Sequence, residues 1–143
     1  MKGPIQSVEI TYLIHATEDQ QKVEGAIARV LAIKARPVVE RLEGHFGNEI
    51  LSERLHLIGE EANLAFQGIV ARLPKDLKAG LLANIGAFLD EHSTFFLRLD
   101  KQQLVAGTLA LGSADSVRLK VKPRLFLLKE GSAEFYARLI GGA

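Results

Sequence analysis

The chain has 143 residues, a hydrophobic share of 48% and a formal net charge of +1, which together indicate one folded globular domain and argue against a disordered chain. It contains no cysteine, which excludes disulfides, thiolate zinc sites and cysteine nucleophiles. Its apolar runs are shorter than the roughly 20 residues that a membrane-spanning helix needs, and no apolar signal-peptide block follows Met1, so we expect a soluble, cytoplasmic protein.

The N-terminal part of the chain predicts a strand followed by a helix. Apolar residues alternate with polar ones over about residues 8–14, the period of a half-buried strand. Thr17 and Gln20 have the spacing of a capping box. Glu18 and Asp19 are then expected in the first turn of the helix, where they suit the positive end of its dipole.

The middle of the chain predicts two more strands and two consecutive helices. The strands are expected over about residues 37–42 and 50–58, separated by a glycine-rich turn at Gly44–Asn48. Apolar residues at helical spacing follow from Ala62 onward, Pro74 ends the first helix, and Asp76 can cap the second.

The C-terminal part predicts a strand at about residues 94–99, a short helix at 101–105 and a final helix at 132–140. A hairpin is expected in which residues 108–111 pair with residues 116–122. Helices grouped between strands favour an α+β fold class: a single domain over residues 1–143, with a mixed or antiparallel sheet and helices packed on one face. The other face is then free to bind a ligand.

Positive charge is concentrated late in the chain. Residues 95–124 contain six basic and two acidic residues, a local charge of +4, and such clustering attracts a polyanion. The six basic residues are Arg98, Lys101, Arg118, Lys120, Lys122 and Arg124.

The segment from Val117 to Lys122 alternates apolar and basic residues. In a strand, Arg118, Lys120 and Lys122 form a row on one face, about 6.6 Å apart, while the valines and leucine are buried. Such a row offers repeated contacts to a sugar-phosphate backbone. The alternative is a solvated sheet face whose lysines block edge pairing.

Two other features suggest contacts to RNA. Phe96 shares a strand face with Arg98 and can stack an unpaired base, although an aromatic there can equally pack under a loop or in a dimer contact. His45 lies in the turn Glu43–Asn48, whose amides can face a phosphate. A plain hairpin loop is the alternative interpretation of that turn.

Motifs for catalysis are absent from the sequence. The four histidines lack metal-ligand spacing, the serines lack a nucleophile-elbow context, and neither a P-loop nor a dinucleotide-binding motif occurs. We therefore expect no enzyme activity, no cofactor and no metal.

Four fragments, taken in order, resemble an archaeal family of small RNA-binding proteins described as predicted subunits of the exosome. They are His15–Asp19, Leu42–Asn48, Phe96–Gln102 and Leu119–Lys122. The resemblance covers roughly residues 7 to 122. It implies an archaeal source, RNA binding, an accessory link to the exosome, and a fold like that of the large-subunit ribosomal protein that contacts 5S rRNA.

The apolar run at residues 125–128 departs from that family. It indicates a second hypothesis, in which the chain is a homodimer or an interaction subunit of a larger assembly, held through residues 125–140 without direct RNA contact. The first hypothesis, a non-catalytic RNA-binding module, assigns RNA contacts to eight residues. They are Arg118, Lys120, Lys122, Arg124, Arg98, Lys101, Phe96 and His45.

Overall fold

The computed structural model describes residues 3–124 and 131–141. The strands are β1 (Ile5–His15), β2 (Val38–Glu43), β3 (Glu49–Ile58), β4 (Phe95–Asp100) and β5 (Ser116–Pro123). The helices are α1 (Gln20–Val30), α2 (Gly59–Arg72), α3 (Lys75–Ala83), α4 (Lys101–Val105) and α5 (Ser132–Gly141), with a 3-10 turn at Ile85–Phe88.

In the described ranges, the five strands form one sheet in the order β2-β3-β1-β5-β4, and every neighbouring pair is antiparallel. The core side of the sheet is lined by alternate residues of each central strand, such as Val8, Ile10, Leu55, Leu119 and Val121, all buried. Buried residues of all five helices complete this core. The α+β prediction with helices on one face is confirmed, and we call the other side of the sheet the open face.

The capping of α1 differs from the predicted capping box. Asp19, not Thr17, is the N-cap, and its carboxylate accepts a hydrogen bond from the backbone N–H of Lys22 at 3.2 Å. Glu18 lies two residues before the first residue of the helix, not in its first turn, and accepts hydrogen bonds from His15, Lys101 and Gln102. Similarly, Asp76 lies in the first turn of α3, whose N-cap is Pro74 without a side-chain cap.

The predicted hairpin between residues 108–111 and 116–122 is wrong. β5 instead lies between β1 and β4. Leu111 forms an isolated bridge with Leu99, on the outer edge of β4. The alternation of apolar and basic residues predicts β5 correctly. The sequence around residues 112–115 favours a local hairpin, whereas the actual partners of β5 are distant in sequence and are not indicated by its local pattern.

The last helix belongs to this domain's own core. Phe135, Tyr136 and Ile140 of α5 are buried, and the Tyr136 ring stacks on Phe95 with ring centroids 5.2 Å apart. These three side chains of α5 face the domain's own core, and the hypothesis that residues 125–140 hold a partner stays a prediction; its apolar run at 125–128 lies outside the described residues. No helix in the described part is long and apolar enough to cross a membrane.

Candidate nucleic-acid interface

The open face carries a row of three arginines across four strands. In the antiparallel register, Arg54 of β3, Thr11 of β1, Arg118 of β5 and Arg98 of β4 are successive partners. Directly opposite residues share a face, and neighbouring strands lie about 4.8 Å apart. All three arginines are exposed, so their guanidinium groups are presented together to solvent.

Lys120 and Lys122 extend this row along β5. Lys122 lies opposite Ser7 and is exposed, whereas Lys120 lies opposite Glu9 and is half-buried. We call Arg54, Arg98, Arg118, Lys120 and Lys122 the cation cluster. Across residues 3–124 and 131–141, none of the five forms an ion pair within 4.0 Å.

The register places two like charges directly opposite each other. Arg98 and Arg118 are cross-strand partners, an arrangement that destabilises a sheet because the charges repel at short range. A bound anion between them would remove that repulsion. Two acidic residues lie nearby on the same face: Glu9, half-buried on β1, is the partner of His56 and Lys120, and Asp100 follows Arg98 by two residues on β4.

An exposed aromatic ring lies beside the cation cluster. Phe96 is 40% exposed and is the cross-strand partner of Lys120. The Lys120 ammonium lies 6.0 Å from the centre of the Phe96 ring, within the range of a cation–π contact. The fold therefore brings Phe96 and Arg98 onto one face together with the basic row of β5, as the sequence predicts.

Two depressions flank the cation cluster. The first, about 180 Å³, lies beside Arg118 and is lined by hydroxyl groups of Thr11, Ser52 and Ser116 together with Asp115. The second, about 310 Å³, opens beside Phe96 and Arg98 and has mostly apolar walls. The open face therefore offers cations, hydroxyl groups and an aromatic ring within one continuous surface.

Sequence reasoning missed two residues of this face. Arg54 and His56 of β3 are both exposed and point to the same side as Thr11 and Glu9, their partners on β1. The alternation of Leu51, Leu55 and Leu57 could have assigned their face. Only the strand order, however, places β3 next to β1 and near β5.

Lys101 is not part of the accessible surface, contrary to its predicted role in RNA contact. Its side chain is fully buried. The ammonium donates to the Leu13 carbonyl at 2.6 Å and forms ion pairs with Glu18 at 2.7 Å and Asp115 at 3.2 Å. A lysine held this way stabilises the junction of β1, α4 and the segment before β5.

The same junction brings together three groups that could ligate a metal. Atoms of His15, Glu18 and Asp115 all lie within 4.8 Å of one another, although their sequence spacing shows no metal motif. The Lys101 ammonium already forms ion pairs with both carboxylates. Burial raises the pKa of Glu18, but the backbone N–H of His15 and the Lys101 ammonium outweigh this and hold it below its usual range.

The remaining predicted contacts lie at the margins. His45 is exposed at the tip of the β2–β3 hairpin, edge-on to Phe46 with ring centroids 4.8 Å apart. Gly47 allows that tight turn with a φ of 80°. Arg124 follows β5, is half-buried, and its backbone N–H donates to the Pro4 carbonyl. The fold does not bring His45 next to the cation cluster.

A buried carboxyl lies on the opposite, helix-covered side of the sheet. Glu53 of β3 is fully buried; it accepts hydrogen bonds from the Tyr12 hydroxyl at 2.9 Å and from the Gln20 amide at 3.1 Å. Burial, with the neighbouring Glu24 carboxyl, raises the pKa of Glu53 to about 7. This group titrates near neutral pH but does not face the open face.

Comparison with known proteins finds relatives in sequence and solved structures with a similar fold. A protein of Pyrococcus abyssi that is named an RNA-binding protein is 29% identical over 142 residues, covering 91% of this chain and 90% of that protein. A solved structure from Archaeoglobus fulgidus has a TM-score of 0.78 at 25% identity, covering 94% of this chain and 99% of that one. One from Methanothermobacter thermautotrophicus has a TM-score of 0.76 at 24% identity, covering 96% and 99%.

A family model described as RNA binding matches residues 7–123. This span contains β2 to β5, all of β1 except its first two residues, the cation cluster and Phe96. The match covers most of the chain, and the resemblance to an archaeal RNA-binding family is confirmed at this level. The chain therefore belongs to this RNA-binding family.

Proposed function

We propose that the chain binds RNA through the open face of its sheet and catalyses no reaction on it. The observation that carries this proposal is the cation cluster, five basic side chains without ion pairs in the described residues, placed beside the exposed Phe96 ring. Phosphates would take the place of the missing counter-charges, and an unpaired base would stack on Phe96.

Fluorescence anisotropy of a labelled single-stranded RNA and a labelled RNA hairpin, each titrated at several salt concentrations, tests this proposal. The triple variant Arg118→Ala, Lys120→Ala, Lys122→Ala removes three phosphate contacts. The slope of log affinity against log salt for the single strand should then fall in magnitude by about 2, from a contribution of about 0.7 per phosphate.

A second triple variant, which removes three positive charges elsewhere on the protein, is the matched control. Lys22, Lys34 and Lys75 are exposed and lie outside the sheet, so replacing all three with alanine should leave most of the salt slope intact. An equal fall in the salt slope in both triple variants would indicate a non-specific charge effect and would contradict the assignment of RNA binding to this face. Unchanged affinity in the first variant would contradict it as well.

We further propose that the chain acts in the cytoplasm as an accessory factor of the archaeal exosome, in the processing of RNA. The support for this finer role is the family resemblance of the four sequence fragments. Mixing the purified chain with a reconstituted archaeal exosome, and measuring the rate of RNA degradation and co-sedimentation, tests it. An unchanged rate without co-sedimentation would leave RNA binding standing and remove the exosome role.

Self-association is a second candidate function, and the β2–β3 hairpin favours it. Phe46 is 90% exposed and Val38 is 68% exposed, while the outer edge of β2 has no neighbouring strand among the described residues. Exposed apolar side chains next to a bare strand edge are features of a contact between chains. A molar mass that stays monomeric at high concentration in light scattering would remove this candidate.

A further inference from the structure

The second depression of the open face lies at a gap along the outer edge of β4. Leu89 bridges Phe95 at one end of this edge, and Leu111 bridges Leu99 at the other. Between these bridges the cavity of about 310 Å³ opens, walled by Ala87, Phe88, Leu89 and Leu111, with Phe96 and Arg98 at its inner side. This volume is at the small end of the range for ligand pockets, about 300 to 1,000 Å³.

The fold holds the rim of this pocket in place through its backbone. The Gly112 N–H donates to the Arg98 carbonyl at 3.0 Å, and the Asp100 N–H donates to the Ala110 carbonyl at 2.8 Å. A Cβ on Gly112 would lie 2.6 Å from the Asp100 Cα, so glycine is required for this close approach. The rim therefore stays fixed relative to Phe96 and Arg98.

The chemistry of the walls favours a flat, aromatic, electron-rich ligand group. Phe88, Leu89 and Leu111 are apolar, which suits a ring and not a phosphate. Phe96 offers a ring face, and the Arg98 guanidinium can either stack on such a group or pair with the phosphate that follows it. A nucleobase that has left its stack has these properties.

We propose that this cavity, which we call the base pocket, holds one unpaired base of the bound RNA. This inference rests on the proposed function and adds the ligand class: RNA with exposed bases, either single-stranded or looped. The cation cluster follows the backbone, while the base pocket takes a base that a continuous duplex keeps stacked and paired.

The test uses three ligands and one filling variant. The ligands are a short single-stranded RNA with 2-aminopurine in place of its adenines, the same ribose-phosphate strand with every base removed, and the first strand annealed to its complement. The variant Ala87→Phe fills the pocket without removing any wall. Ala79→Phe is the matched control, because Ala79 is also exposed but lies on α3 outside the pocket.

The wild-type chain should bind the base-bearing strand at least about ten-fold more tightly than the base-free strand or the duplex. This factor corresponds to the binding free energy that one stacked base contributes. The 2-aminopurine fluorescence should fall on binding. Ala87→Phe should lose most of this preference and of the quenching, while it keeps the weaker binding to the base-free strand. Ala79→Phe should behave as the wild type does.

The outcomes separate the two proposals. Equal, salt-sensitive affinity for the base-bearing and base-free strands would overturn the base pocket and leave the proposed function intact. A base preference that Ala87→Phe does not reduce would place base recognition elsewhere and also overturn the base pocket. Absence of binding to all three ligands at low salt would overturn the proposed function and the base pocket together.

Discussion

Lys101 acts inside this protein as a fixed cation. Its ammonium lies where His15, Glu18 and Asp115 converge, and it also binds a backbone carbonyl of β1. A buried charge with three partners is stable where it is, but each partner depends on it. The residue therefore ties the start of α4 to the end of β1. This junction lies next to the start of β5, where Arg118 is the first residue of the basic row.

Replacing Lys101 with methionine should lower the free energy of unfolding by about 3 kcal/mol. The reason is that removing one partner of a buried ion pair leaves the other carboxylates uncompensated, and the partial exposure of Asp115 places the loss at the lower end of the usual range. Urea denaturation measures it. Lys75→Met, at an exposed position, should change stability by less than about 0.5 kcal/mol. Similar values for both variants would contradict this role.

Glu53 makes stability depend on pH near neutrality. Its pKa is about 7 in the folded chain, against an ordinary value of 4.5, so the folded state holds a proton that the unfolded state releases. The stabilisation is fully present below about pH 4.5 and is lost as the pH rises through about 7. The Tyr12 hydroxyl and the Gln20 amide hold the carboxyl group in this buried position.

The variant Glu53→Gln removes this titration while it keeps the size of the side chain. Between about pH 5 and pH 8, the wild type should lose stability relative to Glu53→Gln, because the wild-type carboxyl must ionise in a buried site. Thermal melts of the two proteins across this range measure the difference. A constant difference in midpoint over the whole range would show that Glu53 has an ordinary pKa in the folded chain.

At the scale of single residues, the sequence predicts which face of the sheet a side chain occupies but not how deeply a charged side chain is buried. Strand alternation placed Phe96, Arg98 and Lys120 on one side of the sheet, as the fold has them. The position of Lys101 in a basic segment predicts that it belongs to the same surface. Its burial depends on the carboxylates of Glu18 and Asp115, which are distant in sequence and meet only in the folded chain.

At the scale of elements, short-range signals predicted the bounds of most strands and helices, while partners were harder to predict. Pro74 ends α2 as its missing N–H requires, and the 44–48 turn joins β2 to β3. The hairpin assigned to residues 108–122 failed because β5 pairs with β1, an element from the other end of the chain. Such pairing leaves no local mark in the sequence.

The placement of β3 leads to a prediction for Arg54. Because β3 lies next to β1, Arg54 joins the row that ends in Arg98. Arg54→Ala should weaken single-stranded RNA binding and lower the magnitude of the salt slope by about 0.7, the contribution of one phosphate. Anisotropy titrations at several salt concentrations measure this slope.

Arg41→Ala is the control for Arg54, since it removes the same charge from the other face of the sheet. Arg41 lies opposite Leu51 in the register and pairs with Glu49 at 2.6 Å. Its removal should leave the salt slope nearly unchanged. A slope that falls equally in both variants would mean that the RNA does not distinguish the two faces.

At the scale of the whole molecule, the open face has a length that RNA must match. Within residues 3–124 and 131–141, β2 and β4 are the two outer strands, separated by about 19 Å at four strand spacings of about 4.8 Å. The base pocket lies at the β4 edge and His45 at the tip of the hairpin that includes β2. A strand that reaches both must cross the entire sheet.

His45→Ala should therefore affect RNAs according to their length. A short RNA held by the cation cluster and the base pocket should bind this variant as it binds the wild type, whereas a longer strand should lose a few-fold in affinity if it reaches the hairpin tip. Anisotropy with a series of single-stranded RNAs of increasing length measures this. Equal effects at every length would contradict the proposed path of the strand.

The strand order also has a consequence for folding during synthesis on the ribosome. β1 is the first strand to be made, yet one of its two neighbours is β5, and Ile10 must wait for Leu119. While the ribosome is still making the segment before β5, the emerging chain can close only the β2-β3-β1 half of the sheet. β4, already made, has no strand to join. During that interval the edge of β1 that later pairs with β5 and the apolar side of β4 are unprotected, so we expect the nascent chain to aggregate more readily than the folded domain.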